Sequence, residues 1–303
     1  VGGSFLLALV GERARWIKKQ AIKEKRKRTK EQGLCYNLNA MPKLSPRDIK
    51  RKIQGIKNTR RITKAMKVVS AAKLRKAQEA IYASRPYSER LYEMLAHLSA
   101  HVDMSAHPLL EVREERKVDI ILITADRGLA GAFNSNAIKK AEELIAEKNQ
   151  NGIEVSLILI GRKGAQYFQK RSWKVLKSYE EVFRKEINFE VVKEVGELVR
   201  QRYQNKETDG VYLINNEMIT RVSYKPVVRR FLPFERIEEK GQDYSSYEFE
   251  VDAETFINKL INLYLNYQLY RAMLESNAAE HFARMVAMDN ATRNADELVK
   301  TWT

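Results

Sequence analysis

The chain has 303 residues, 44% of them hydrophobic and 31% charged, which is enough to bury a core while leaving many charges in water. Its net charge is +16, and its single cysteine, Cys35, excludes an intrachain disulfide and a cysteine-built zinc site. No run reaches the roughly 18 apolar residues of a membrane span, and the Ser4–Val10 run is followed rather than preceded by positive charge, the wrong order for a secretory signal.

The charge is uneven. Residues 1–40 carry ten Lys and Arg against three Glu, a surplus of +7, and the stretch from Met41 to Gln78 carries thirteen bases and one acid, Asp48, a surplus of +12. The remainder is close to neutral, so an acidic partner is to be sought at the basic end. Residues 11–33 read as a disordered tail. The chain begins with Val and changes character at Met41, so residues 1–40 also read as a mis-started upstream extension.

From Ser45 the pattern turns helical. Ser45 is a good N-cap and Pro46 suits the first helical position. Ile49, Ile53, Ile56, Ile62, Met66, Val69, Leu74, Ala77 and Ile81 follow at steps of three, four and their sums, which describes one apolar stripe. One helix over 46–84 would run about 60 Å. Pro86 is expected to bend or restart it, with helix continuing to about Val102.

The middle of the chain alternates. Val118–Thr124 (VDIILIT) is a continuous apolar run suited to a strand covered on both faces. Helix is expected over Asn136–Lys148, strand over Val155–Ile160, helix over Phe189–Gln204 and strand over Val211–Ile214. This alternation argues for a parallel α/β sheet. Pro226–Phe234, bracketed by prolines, reads as an edge strand.

Helix returns from Phe256. Leu260, Leu263, Tyr267, Tyr270 and Leu274 step by three and four, a coiled-coil seam. Continued strictly, the register meets Asn277, His281 and Arg284, while the apolar path slips to Ala278, Phe282, Met285 and Met288. Two long stripes around an α/β segment imply that the two ends pair as an antiparallel coiled coil. The expected division is a basic tail over 1–40, an N-terminal coiled-coil helix over 41–105, a Rossmann-like three-layer α/β domain over 106–250 and a C-terminal coiled-coil helix over 251–303.

Catalytic chemistry is hard to place. Ala125–Gly131 (ADRGLAG) lies between strand and helix, where phosphate loops sit, but its spacing matches neither the dinucleotide nor the P-loop pattern. Gly161–Gly164 is weaker still. His97 and His101 share a helical face with Glu93, without a third oriented ligand and a second shell. None of the four histidines neighbours a nucleophile signature. No cofactor and no metal is expected.

The basic helix is the sharpest feature. Bases at i and i+4, such as Arg60 and Lys64, repel, so a partner should supply negative charge. A basic coiled-coil nucleic-acid binder is one reading, weakened by the absence of aromatic residues between Ile49 and Ile81. An acidic protein surface is the other. An α/β enzyme holding nucleotide at Asp126–Gly131 is a third class.

Ile62–Ala77 (ITKAMKVVSAAKLRKA) resembles the N-terminal helix of the gamma subunits of F-type ATP synthases. Ser84–Tyr87, Thr124–Asn134 (TADRGLAGAFN) and Ala283–Met288 (ARMVAM) with Asn294-Ala295 resemble further family motifs, in the expected order. The resemblance implies a non-enzymatic central shaft, one copy per complex, whose coiled coil stands inside the ring of alpha and beta subunits. The α/β part would lie below, with the epsilon subunit and the ring of c subunits. It also implies a peripheral place on the cytoplasmic face of a bacterial inner membrane and no nucleic-acid partner. By the same resemblance Lys64, Met66, Lys67, Lys73, Arg284 and Met288 are expected to touch the head. Family members extend beyond the position of Thr303, so a C-terminally truncated copy is expected.

Overall fold

The computed structural model describes residues 45–101, 107–183, 186–220, 222–234 and 253–302. The tail over 1–40, with Cys35 and the Ser4–Val10 run, lies outside the described residues, as does the expected helix end near Val102. The chain divides into two compact units at Lys52 and Ile53. In the first, Ser45 Oγ accepts from the Asp48 N–H at 3.3 Å and donates to the Asp48 carboxylate at 2.9 Å, an N-cap of the expected kind. All that follows concerns the second unit.

Of helix α1 (Pro46–His101), the part from Ile53 onward belongs to this unit, and Pro86 lies inside it. The expected restart does not occur. Proline removes one helical N–H, but neighbouring contacts hold the backbone there. Tyr267 donates its hydroxyl to the Ser84 carbonyl at 2.8 Å, and its ring lies 5.5 Å from that of Tyr87.

The sheet runs in the order β3-β2-β1-β4-β5. Strands β1 (Lys117–Ile123), β2 (Glu154–Ile160), β3 (Val175–Tyr179) and β4 (Gly210–Thr220) are parallel, and β5 (Ser223–Leu232) is antiparallel to β4. The sheet is therefore mixed rather than parallel. Thr220 pairs with Ser223, so the connection is a tight hairpin, which can join only antiparallel strands. Strand β5 does lie at the edge, where Pro226 forfeits no second ladder. Strand β4 outruns its expected end at Ile214, and β3 and α3 (Arg162–Phe168) had no counterpart among the expected elements.

Both faces of β1 are buried. Ile120 and Leu122 pack with Ala137, Ala141 and Ile145 of α2 (Phe133–Gln150) and with Phe168. Ile121 and Ile123 pack with Val192, Val195 and Val199 of α4 (Phe189–Gln204), with Leu91 and Leu95 of α1, and with α5 (Ala253–Trp302). A fully buried strand side chain contributes about 1.5–3 kcal/mol, so this strand anchors the core.

Helix α5 carries more burial than its seam requires. Leu260, Tyr267 and Leu274 are buried, but so are Ile257, Ile261, Leu265, Leu269 and Met273, while Leu263 is exposed. The helix is wedged between α1, α4 and β4, and both continuations of the register are covered: Ala278, Phe282 and Met288 on one path, His281 and Arg284 on the other.

Helices α1 and α5 run antiparallel. Arg60 meets Asp296 at 2.5 Å, Thr292 donates to Thr63 at 2.8 Å, Lys67 meets Asp289 at 2.6 Å, and Leu74 and Ala77 pack on Ala278 and Phe282. Toward Arg60 the seam is polar. Thr63 and Ser70 are buried, whereas Ile62, Val68 and Val69 are each more than half exposed. The expected apolar stripe is thus correct at Leu74 and Ala77 and wrong at Ile62 and Val69, because Asp289 and Thr292 occupy the facing helix.

Candidate functional site

The loop after β1 is built from its side chains inward. Thr124 Oγ1 accepts from the Gly164 N–H at 2.9 Å. A Cβ at Gly161, whose φ is 98°, would fall 2.0 Å from the Thr124 carbonyl oxygen, so only glycine fits there. Asn134 Oδ1 accepts from the Ala125 N–H at 2.9 Å. Asp126 Oδ1 accepts from the N–H groups of Arg162 at 3.0 Å and Glu181 at 2.8 Å, and Oδ2 from that of Phe183 at 2.9 Å.

These bonds decide between the chemical readings. A phosphate loop offers free backbone N–H groups to an anion. Here the loop instead contributes a carboxylate, which is spent on three backbone N–H groups of the segments after β2 and β3. The strand order reverses between the parallel neighbours β1 and β4, the place where open α/β sheets take ligands. That crevice is filled too: Ala279 and Ala283 of α5 pack on Ala125, Ala130 and Phe133, and Asn216 donates to the Phe133 carbonyl at 3.2 Å. The geometry gives no support to nucleotide at Asp126–Gly131.

Beside the loop lies a groove of about 660 Å³, walled by Ile62, Met66, Val69 and Lys73 of α1, by Arg127–Leu129, and by His281 and Arg284 of α5. Arg284 is buried. It donates to the Glu280 carboxylate at 2.6 Å and, through Nη2, to the Gly128 carbonyl at 3.1 Å. Burial pushes the Glu280 carboxyl up, against the pull of Arg284. Burial pushes the His281 imidazole down to about 4, helped by the cations Arg284 and Lys73.

Of the head-contact residues expected from sequence, Met66, Lys73 and Arg284 share this groove. Lys64 is exposed on α1 outside it, Lys67 is half-buried in its bridge to Asp289, and Met288 is buried. Sequence reasoning gave Glu280 no role, met His281 only as a position on the helix register, and read Asp126 only as the start of a nucleotide loop. The i,i+4 spacing of Glu280 and Arg284 was a usable signal; nothing local marks an aspartate that will bind distant N–H groups. Among the described residues no cluster of three metal-ligating side chains occurs, and the side chains of His97 and His101 lie outside them.

The family described as ATP synthase matches residues 45–303. The ATP synthase gamma chain of Aquifex aeolicus is 69% identical over 263 residues, covering 87% of this chain and 90% of the relative. That of Hydrogenobaculum sp. is 57% identical over 268 residues, covering 87% and 91%. The fold is similar to a chain of the Tetrahymena thermophila mitochondrial ATP synthase central stalk and c-ring, with a TM-score of 0.59 at 23% identity over 76% of this chain and 99% of that one. A rotor chain of the Euglena gracilis mitochondrial ATP synthase gives 0.56 at 18% identity over 84% and 94%.

Proposed function

Because this chain belongs to the ATP synthase gamma-chain family, we propose that α1, with its basic surface and the groove beside it, is the face it turns toward the catalytic head. The chain is a rotor subunit of ATP synthase and is not itself catalytic; the catalytic sites are on the beta subunits. Its work is to couple proton-driven rotation to synthesis and hydrolysis of ATP.

A rotor acts by differential binding. Each orientation of an asymmetric shaft favours a different conformation of each beta subunit, and turning it shifts their nucleotide affinities. The supporting observation is the outward face of α1, where Lys64 and Lys73 stand in water beside exposed Ile62, Val68 and Val69. Cations attract an acidic bearing at range, and the apolar residues gain from being covered. In this reading Lys64, Met66, Lys67 and Lys73 face the head, while Arg284 and Met288 support that face from α5.

The paired helices act as an antiparallel coiled coil, over 41–105 and 251–303, carrying a Rossmann-like three-layer domain over 106–250. The partners are the alpha and beta subunits, epsilon and the c ring, with one copy per complex and no nucleic acid. In this reading the chain lies peripherally on the cytoplasmic face of a bacterial inner membrane. Among the described residues no helix is long and apolar enough to cross one.

Co-expression with alpha and beta subunits tests this. The chain should co-purify with them, and the reconstituted complex should pump protons on ATP. A chain that ignores both subunits but binds DNA with steep salt dependence would instead be a nucleic-acid binder.

A further inference from the structure

We propose that Asp126 is a positioning residue for rotational coupling: it holds rigid the loop through which the sheet grips the shaft helix α5. The proposal rests on the rotor reading above. Helix α5 runs unbroken from Ala253 to Trp302, so it alone could connect the α/β part with the head-facing end. The structure adds a second attachment.

That attachment starts at three strand ends. The Asp126 carboxylate closes the ends of β1, β2 and β3 by receiving the N–H groups of Arg162, Glu181 and Phe183. A carboxylate suits the task because it accepts at both oxygens and donates at neither; an amide would turn an NH2 toward one of these donors. Two residues on, the Gly128 carbonyl receives Nη2 of Arg284 at 3.1 Å and Nε at 3.4 Å. Leu129 and Gly131, at φ 63° and 55°, turn the loop back over α5, where Ala125 and Ala130 pack on Ala279 and Ala283. The result is a continuous set of fixed contacts from the sheet to one stretch of α5. Without the carboxylate, three N–H groups lose their acceptor and the Gly128 carbonyl is no longer held against Arg284. The sheet and α5 could then twist relative to each other before the head responds.

The test uses the assembled complex, reading ATP hydrolysis and ATP-driven proton pumping for wild type, Asp126→Ala, Arg284→Gln and the double variant. Asp126→Ala should keep hydrolysis within about twofold while protons pumped per ATP fall at least about twofold. Asp126→Asn, which retains one acceptor oxygen, should recover part of the loss. The double variant should pump no worse than Arg284→Gln alone, because both changes break one brace. Wild-type pumping per ATP in Asp126→Ala, or losses that add in the double variant, would overturn the proposal. Should Asp126→Ala fail to assemble, the same cycle built on Asp126→Asn decides. A wild-type complex that does not pump at all would count against the rotor reading itself.

Discussion

Lowering the pH from 7.5 to 5.5 should destabilise this chain specifically through His281. The imidazole is buried against α1, with Arg284 and Lys73 as nearby cations, and burial is the main cause that holds it at about 4 against 6.5 for the free side chain. The unfolded chain therefore takes the proton first. The stabilisation is fully present above 6.5 and is lost progressively as the pH falls toward 4. At pH 5.5 the unfolded imidazole is roughly nine-tenths charged while the folded one is nearly neutral, which amounts to about 1.3 kcal/mol relative to pH 7.5. Glu280 acts the other way. Its raised carboxyl contributes stability below the ordinary carboxylate range that fades as the pH rises. A comparison with His281→Gln separates the two. Urea unfolding at both pH values should show wild type losing about 1.3 kcal/mol more than the variant. Equal losses in the two proteins would refute the assignment of the pH dependence to His281.

Three further outcomes follow from named contacts. Asp119, buried on β1, holds Arg202 through bonds of 2.8 and 3.2 Å, so Asp119→Ala should cost about 3 kcal/mol in urea unfolding by leaving a half-buried guanidinium short of its partner. Gly196→Ala would place a Cβ 2.1 Å from Asn266 Oδ1, which accepts from Arg200 at 2.9 Å; the Asn266 amide must swing away and lose that bond, which should cost about 1–3 kcal/mol and lower the melting temperature. Replacing Lys64 and Lys67 together by Gln should lower protons pumped per ATP in the complex, and an unchanged ratio would count against the basic face as a bearing. The bridge of Lys67 to Asp289 is partly exposed and contributes under about 1 kcal/mol, so folding should survive that change.

The central strands were legible because both of their faces are buried. VDIILIT reads as a doubly covered strand because every residue from Val118 onward is buried. Helix α3 and strand β3 escaped because each is short and polar: RKGAQYF carries two bases and a glycine, and VLKSY is half-buried at the sheet edge. On α1, periodicity placed Ile62 and Val69 inside on hydropathy alone. Their true neighbours are set by Asp289 and Thr292, some 220 residues away, which no local pattern contains. The candidate site divides the same way. Met66, Lys73 and Arg284 could be carried over from matching motifs, whereas the bonds of Asp126 to three backbone N–H groups exist only once three strands lie side by side.

The polar seam between α1 and α5 has a consequence for the isolated subunit. Near Arg60 the two helices hold each other by Arg60–Asp296, Thr63–Thr292 and Lys67–Asp289, with Ile62, Val68 and Val69 turned to water. Such contacts specify alignment but add little cohesion. In free protein the amide hydrogens of this stretch should exchange with solvent well before those around Leu74 and Ala77, where the seam is apolar. A surrounding sleeve would reverse that order by burying the outward side chains. The firmness of this end of the subunit then belongs to the assembly, while the end braced by the sheet keeps its own.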